Sequence, residues 1–125
     1  MKVVIFLLFL SMSFFANANW TPIAESDEGS VTSIDYSTLT KSGNLAKVWV
    51  RTVYKISIPT SKGQMKSTKT YVEVDCREKK SRDLSSVYYS DEQEKNIIHT
   101  SKVSDWIYYP PGSVRDTTIK VTCGR

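Results

Sequence analysis

The clearest pattern in the chain is an alternation. From Ala46 to Ile58, the residues Ala46, Val48, Val50, Tyr54, Ile56 and Ile58 fall on one parity, and Lys47, Arg51 and Lys55 fall on the other. Successive side chains of a strand point to opposite faces, so this period of two predicts a half-buried β-strand. Trp49 and Val53 interrupt its polar side. One exposed Trp is ordinary, but a Trp paired with Val53 implies a face that is partly covered or part of an interface. Upstream, Val31 to Asp35 reads as a short strand continued by Tyr36 to Leu39. Lys41-Ser42-Gly43-Asn44 has turn composition, so these segments predict a meander.

Downstream, Pro59-Thr60-Ser61-Lys62-Gly63 is another turn, and alternation resumes from Ser67 to Lys79. Val72, Val74 and Cys76 share one face, whereas Glu73, Asp75 and Arg77 take the other, so the charges flanking Cys76 project away from it. A further strand is predicted over Arg82 to Tyr89, carrying Leu84, Val87, Tyr88 and Tyr89, and a short one over Asn96 to His99. The acidic run Ser90 to Glu94 between them reads as a loop. The last segment supports two readings equally. Ser113 and Asp116 after Pro110-Pro111-Gly112 form a capping-box pattern for a helix with Val114, Thr118 and Val121 on one face. Against this, Ile119, Val121 and Cys123 alternate, and Thr117, Thr118 and Thr122 favour a strand.

The first eighteen residues change the picture of where this sheet works. Lys2, the apolar run Val3 to Leu10 and the small-x-small triplet Ala16-Asn17-Ala18 predict a secretory signal over residues 1–18, with the mature domain spanning 19–125. The apolar run is too short to span a membrane, and no stretch of about 18 apolar residues follows. No cysteine follows the predicted cleavage site, so no lipid anchor is expected, and the destination is the periplasm, the cell surface or the medium. The roughly 107 remaining residues suit one domain with one modest core. In an exported chain the two cysteines, Cys76 and Cys123, are read as a structural disulfide. Closing a loop of that length stabilises a fold by about 4 kcal/mol in the chain-entropy model.

The net charge of +4 is concentrated locally: Lys62 to Asp83 holds seven basic and four acidic residues. Arg77, Lys79, Lys80 and Arg82 form a basic ridge that could meet acidic patches on a partner, with Lys62, Lys66 and Lys69 extending it. The competing reading is a solvated strand and turn whose charges discourage edge pairing.

Three features together resemble the surface-adhesin protein E-like domain family of Gram-negative bacteria. They are Ile34-Asp35 followed after a turn by Val48-Trp49-Val50; Val74-Asp75-Cys76 leading through basic residues to Arg82 and Leu84; and Trp106, Pro111-Gly112-Ser113 and Cys123. The resemblance runs from Trp20 to Cys123. It implies an α+β fold, an antiparallel sheet of about six strands with a C-terminal helix pinned to it by the Cys76–Cys123 disulfide, and it favours the helical reading of the last segment. Trp49, Trp106, Pro111, Gly112 and Ser113 are then expected to position the core and the helix. The resemblance also implies binding of host matrix or serum proteins such as vitronectin, laminin and plasminogen, and a capacity to dimerise. The named adhesin of the family is a surface lipoprotein, and this chain departs from it in having no lipid-accepting cysteine.

The function classes follow from these residues. A binding module, adhesin-like, is favoured, and a periplasmic accessory or inhibitor protein acting on an envelope partner is the alternative. No enzyme is expected: Asp91-Glu92 and Glu25-Asp27-Glu28 lie in polar, loop-like runs, and His99 has no nucleophile or orienting group at a telling spacing. No metal, cofactor or nucleic-acid partner is expected either, since the chain lacks a ligand cluster, a phosphate loop or a nucleic-acid-binding motif.

Overall fold

The computed structural model describes residues 19–124; the predicted signal segment lies outside the described residues. Six strands precede one helix: β1 (Trp20–Glu25), β2 (Val31–Ser42), β3 (Leu45–Thr60), β4 (Gly63–Asp75), β5 (Lys80–Tyr89), β6 (Ile97–Ser101) and α1 (Val114–Cys123). Each strand pairs antiparallel with the next, giving one sheet in sequence order. The long alternation of Ala46 to Ile58 is the central strand β3, and its partner β4 continues it through the two-residue turn Ser61-Lys62.

The core forms where inward-facing positions of adjacent strands coincide. Ile34, Val48, Val50, Val72 and Val74 lie in register on one face, and Ile119 of α1 closes over them. Burying each such side chain contributes roughly 1.5–3 kcal/mol before entropy is charged against it. The core is small, so the tether on the helix matters. Cys76, just past β4, and Cys123, at the end of α1, form the disulfide with their Cα atoms 5.6 Å apart.

The ambiguous last segment is helical because its local contacts favour the helix. The Asp116 amide donates to the Ser113 hydroxyl at 3.1 Å, satisfying one of the unpaired donors of the first turn. The Asp116 carboxylate turns back to the Gly112 amide at 3.0 Å, one residue before the position a capping box uses. Gly112 has φ +81°, a backbone that favours glycine. Thr118, a strand-favouring residue, donates its hydroxyl to the Val114 carbonyl at 3.0 Å and fits inside the helix.

Two strand limits differ from expectation. β1 has no counterpart in the sequence reading, because Pro22 weakens its signal; the structure places it at a sheet edge, with a register shift between Pro22 and Ala24. The alternation through Lys79 ends early: Asp75 Oδ1 accepts the amides of both Arg77 and Glu78 at 3.0 Å, and Cys76 to Lys79 form a turn. Lys79 there has φ 54°. The parity of β3 also fails near its tip, where the pairing register shifts between Val53 and Ile58 and Ile56 is 67 % exposed.

The carboxylate at the cap gives the helix a pH dependence. The Gly112 amide first, and then the Lys120 ammonium, hold the Asp116 carboxyl below its ordinary range. A depressed pKa contributes stability above the unfolded value and loses it as pH falls through the folded one. The native protein should therefore lose thermal stability as pH drops below about 4. Asp116→Asn should show a smaller drop over the same range, and parallel melting curves for the two proteins would remove Asp116 from the account.

Candidate binding surface

The face of the sheet opposite α1 carries the odd-parity positions of β3 and β4, and there the structure assembles aromatic rings and cations. Trp49 and Tyr71, register partners on β3 and β4, stack with centroids 5.0 Å apart. Arg51 and Lys69 lie over the Trp20 ring at 6.0 and 5.7 Å, and Lys69 also lies 5.9 Å from the Trp49 centroid. Both cations are tied down: Arg51 Nε forms an ion pair with Glu94 at 3.2 Å, and Lys69 donates to the other Glu94 oxygen at 3.4 Å. The loop bearing Glu94 folds over this end of the face, where Ser67 donates to the Asp91 carbonyl at 2.7 Å and Arg51 to the Glu92 carbonyl at 3.0 Å. The loop itself is closed by Asp91, whose carboxyl is held below its ordinary range first by the Asn96 amide and also by that of Lys95. Trp49 and Val53 thus break the polar pattern of β3 because their face is partly covered. Trp49 packs in this ladder, on the side away from α1.

A second cluster sits at the other end of the same face. After β6 the chain runs back along β5, exchanging Ser81–Ile107 backbone hydrogen bonds at 3.1 and 2.9 Å, so Trp106 reaches the β5 side chains. The Arg82 guanidinium lies 4.7 Å from the Trp106 centroid, and Lys80 lies 5.5 Å from Trp106 and 5.7 Å from Tyr108. Tyr108 is 65 % exposed and Ile107 43 %.

The basic ridge divides here. Arg77 and Lys79 are exposed in the β4–β5 turn, and Lys80 and Arg82 lie on β5. Arg82 donates through Nε to Glu73 Oε1 at 2.8 Å, and its Nη2 lies 2.7 Å from the same oxygen in an ion pair. Glu73 is 4 % exposed, and Lys47 lies 3.9 Å from its other oxygen. Arg82 is therefore part of an ion pair within the fold, while Lys80 stands at the rim beside Trp106 and Tyr108 and Lys79 is exposed in the turn before it. Lys62 occupies the β3–β4 turn, and Lys66 donates to the Lys55 carbonyl at 2.8 Å. Pro111, Gly112 and Ser113 lead from this rim into α1. His99 faces Tyr88 with the rings 5.4 Å apart. Among the described residues, no three His, Cys, Asp or Glu side chains converge in a way that could hold a metal ion.

Trp20, Tyr71 and Tyr108 were not legible as parts of one surface in the sequence. They sit on separate strands and a return segment, and only the pairing register places them together. An aromatic at matching parity on neighbouring strands is the available signal, and it needs turn lengths known to the residue.

These features define the class: a six-stranded antiparallel meander with one C-terminal helix clamped to a face by a disulfide, and the Trp49 and Trp106 clusters of rings and cations on the other. The chain belongs to the surface-adhesin protein E family, whose profile matches residues 20–124. Its fold is similar to that of Haemophilus influenzae protein E, with a TM-score of 0.62 at 10 % identity over 84 % of this chain and 85 % of that one. Crystal form II of the same protein gives 0.57 at 10 % identity over 74 % and 80 % of the two chains. Protein E from non-typeable Haemophilus influenzae gives 0.55 at 10 % identity over 84 % and 75 %. The chain matches no curated protein sequence. Among the described residues no helix is long and apolar enough to cross a membrane.

Proposed function

We propose that this chain is an exported, non-catalytic adhesin that captures a host matrix or serum protein at the cell surface. The observation that carries the reading is family membership across residues 20–124 together with a rim where the half-buried Lys80 lies over the half-buried Trp106 and the exposed Tyr108, next to the exposed Lys79. Aromatic groups flanked by cations are the side chains that dominate interface energetics. Lysines at the rim raise the association rate toward an acidic partner in a salt-dependent way. Dimerisation, which the family resemblance implies, belongs to the same proposal and is read by sedimentation velocity.

The test is capture by immobilised vitronectin and laminin over a range of salt. Lys79→Ser with Lys80→Ser should weaken capture several-fold at low salt and flatten its salt dependence, and Tyr108→Ser should raise the off-rate. Arg82 is kept in these variants because its pairing with Glu73 belongs to the fold. Capture unchanged in both variants would overturn the assignment of the rim. Protein released by osmotic shock alone, and protected from protease on intact cells, would overturn surface display.

A further inference from the structure

The helix side of the sheet is not apolar throughout. On β3 the inward positions read Val48, Val50, Thr52, Tyr54, and on β4 they read Thr68, Thr70, Val72, Val74. The aliphatic half lies under α1, and the switch to hydroxyls comes where the helix begins. Register carries the hydroxyls across the sheet. Thr32, Thr52, Thr68, Tyr88 and His99 are successive partners on five strands, and Thr70 pairs with Ser86 in the next row. Thr52, Tyr54, Thr68, Thr70, Ser86 and Tyr88, with Met65 as the one aliphatic member, line a hollow of about 210 Å³, walled on the helix side by Asp83 and Arg115. A second hollow of about 270 Å³ shares Thr52 and Tyr54 with it.

The chemistry of this lining is restrictive. Arg115 donates to Asp83 at 2.7 Å, so the two formal charges cancel at the wall. The hydroxyls pair among themselves, Thr32 with Thr52 at 2.9 Å and Thr70 with Ser86 at 3.1 Å. Two hydroxyls sharing one hydrogen bond keep one donor and three acceptor positions, so the floor is uncharged and rich in acceptors with a few donors among them. An anion could not donate to it, and a cation would leave the donors unmatched. Burial pushes the Tyr54 phenol up, with the Thr68 hydroxyl acting the other way, so this ring stays neutral at physiological pH. An ordinary solvated face would carry Lys and Glu at these positions, and an ordinary core would carry Val and Ile.

We propose that this hollow is a glycan-binding subsite that takes one neutral pyranose ring. Sugar hydroxyls both donate and accept, which is the pattern the floor requires. The rings of Tyr54 and Tyr88 at its margin offer apolar surfaces to the C–H face of the sugar. The site lies on the side of the sheet opposite the Trp106 rim, so it is independent of protein capture there.

The experiment is an amide-resolved NMR titration of the mature protein. The probes are the methyl glycosides of glucose, galactose, mannose and N-acetylglucosamine, with sialic acid as the charged comparison. A ring of that size held mainly by hydrogen bonds should bind with a Kd of about 1–10 mM. Saturable shifts are expected at Thr52, Thr68, Thr70, Ser86 and Tyr88 with at least one neutral glycoside. Thr68→Val with Thr70→Val should weaken that binding about tenfold or more while leaving the far-face amides in place, and Tyr88→Phe supplies a second variant that keeps the ring. No saturable shift with any neutral glycoside would overturn the proposal. So would undiminished affinity in both variants, or sialic acid binding more tightly than every neutral sugar.

Discussion

Reduction of the Cys76–Cys123 bridge is expected to lower the melting temperature by about 15–20 °C. The bridge closes a sequence separation of 47 residues, for which chain entropy gives about 4 kcal/mol. A domain of this size has about 5–15 kcal/mol in total and loses about 4 °C per kcal/mol. The effect should not be confined to the denatured state. The helix meets the sheet mainly through Ile119, with Val121 and Cys123 packed against the same core, and the bridge fixes its last turn. The reduced protein should therefore show earlier loss of helical signal than of sheet signal, and should bind an apolar dye as Val48, Val50 and Val72 become accessible. Cys76→Ser with Cys123→Ser should melt at the temperature of the reduced native protein and ignore reductant. Equal melting of the native protein with and without reductant would show that the bridge contributes nothing.

That the cysteines, the central strands and their faces were legible in the sequence has a physical reason. Alternation over Ala46 to Val50 and over Val72 to Val74 encodes both the strand and its buried side, because period two leaves one solution once a face is apolar. The final helix was not legible from pattern. Thr117, Thr118 and Thr122 favour a strand, and the preference is reversed by contacts that periodicity does not contain: the Ser113 cap, the Gly112 backbone and the tether at Cys123. The charged positions misled in a different way. Glu73 does point away from Cys76, as alternation requires, yet it is buried: Arg82 from the next strand pairs with it, and Trp106 from the return segment packs on Arg82. Whether a charge on the outer face is solvated or buried depends on what later chain crosses that face, and no local window holds that information. The hydroxyl rows are a case of the same kind, since Thr52, Thr68 and Thr70 become one surface only through register.

Glu73→Ala is expected to cost about 2–3 kcal/mol. The carboxylate is nearly sealed, and one oxygen accepts a hydrogen bond from the Arg82 guanidinium within the ion pair, with Lys47 near the other oxygen. Removing one partner of a buried ion pair typically costs 3–5 kcal/mol because the other charge stays behind without compensation. Arg82 keeps 32 % of its side-chain surface in contact with solvent, so water recovers part of that cost and the lower figure applies. Urea unfolding should show a lower midpoint at unchanged slope. Replacing both partners, Glu73→Leu with Arg82→Met, should restore most of the loss, since a packed apolar pair often matches a buried ion pair in stability. A coupling below about 0.5 kcal/mol in that cycle would mean that the pair is not a structural unit. The result also decides how the basic ridge is to be interrogated. If Glu73→Ala and Arg82→Ser destabilise alike, then weaker partner capture by an Arg82 variant reports a loosened sheet, and only Lys79, Lys80 and the rings beside them report on the partner.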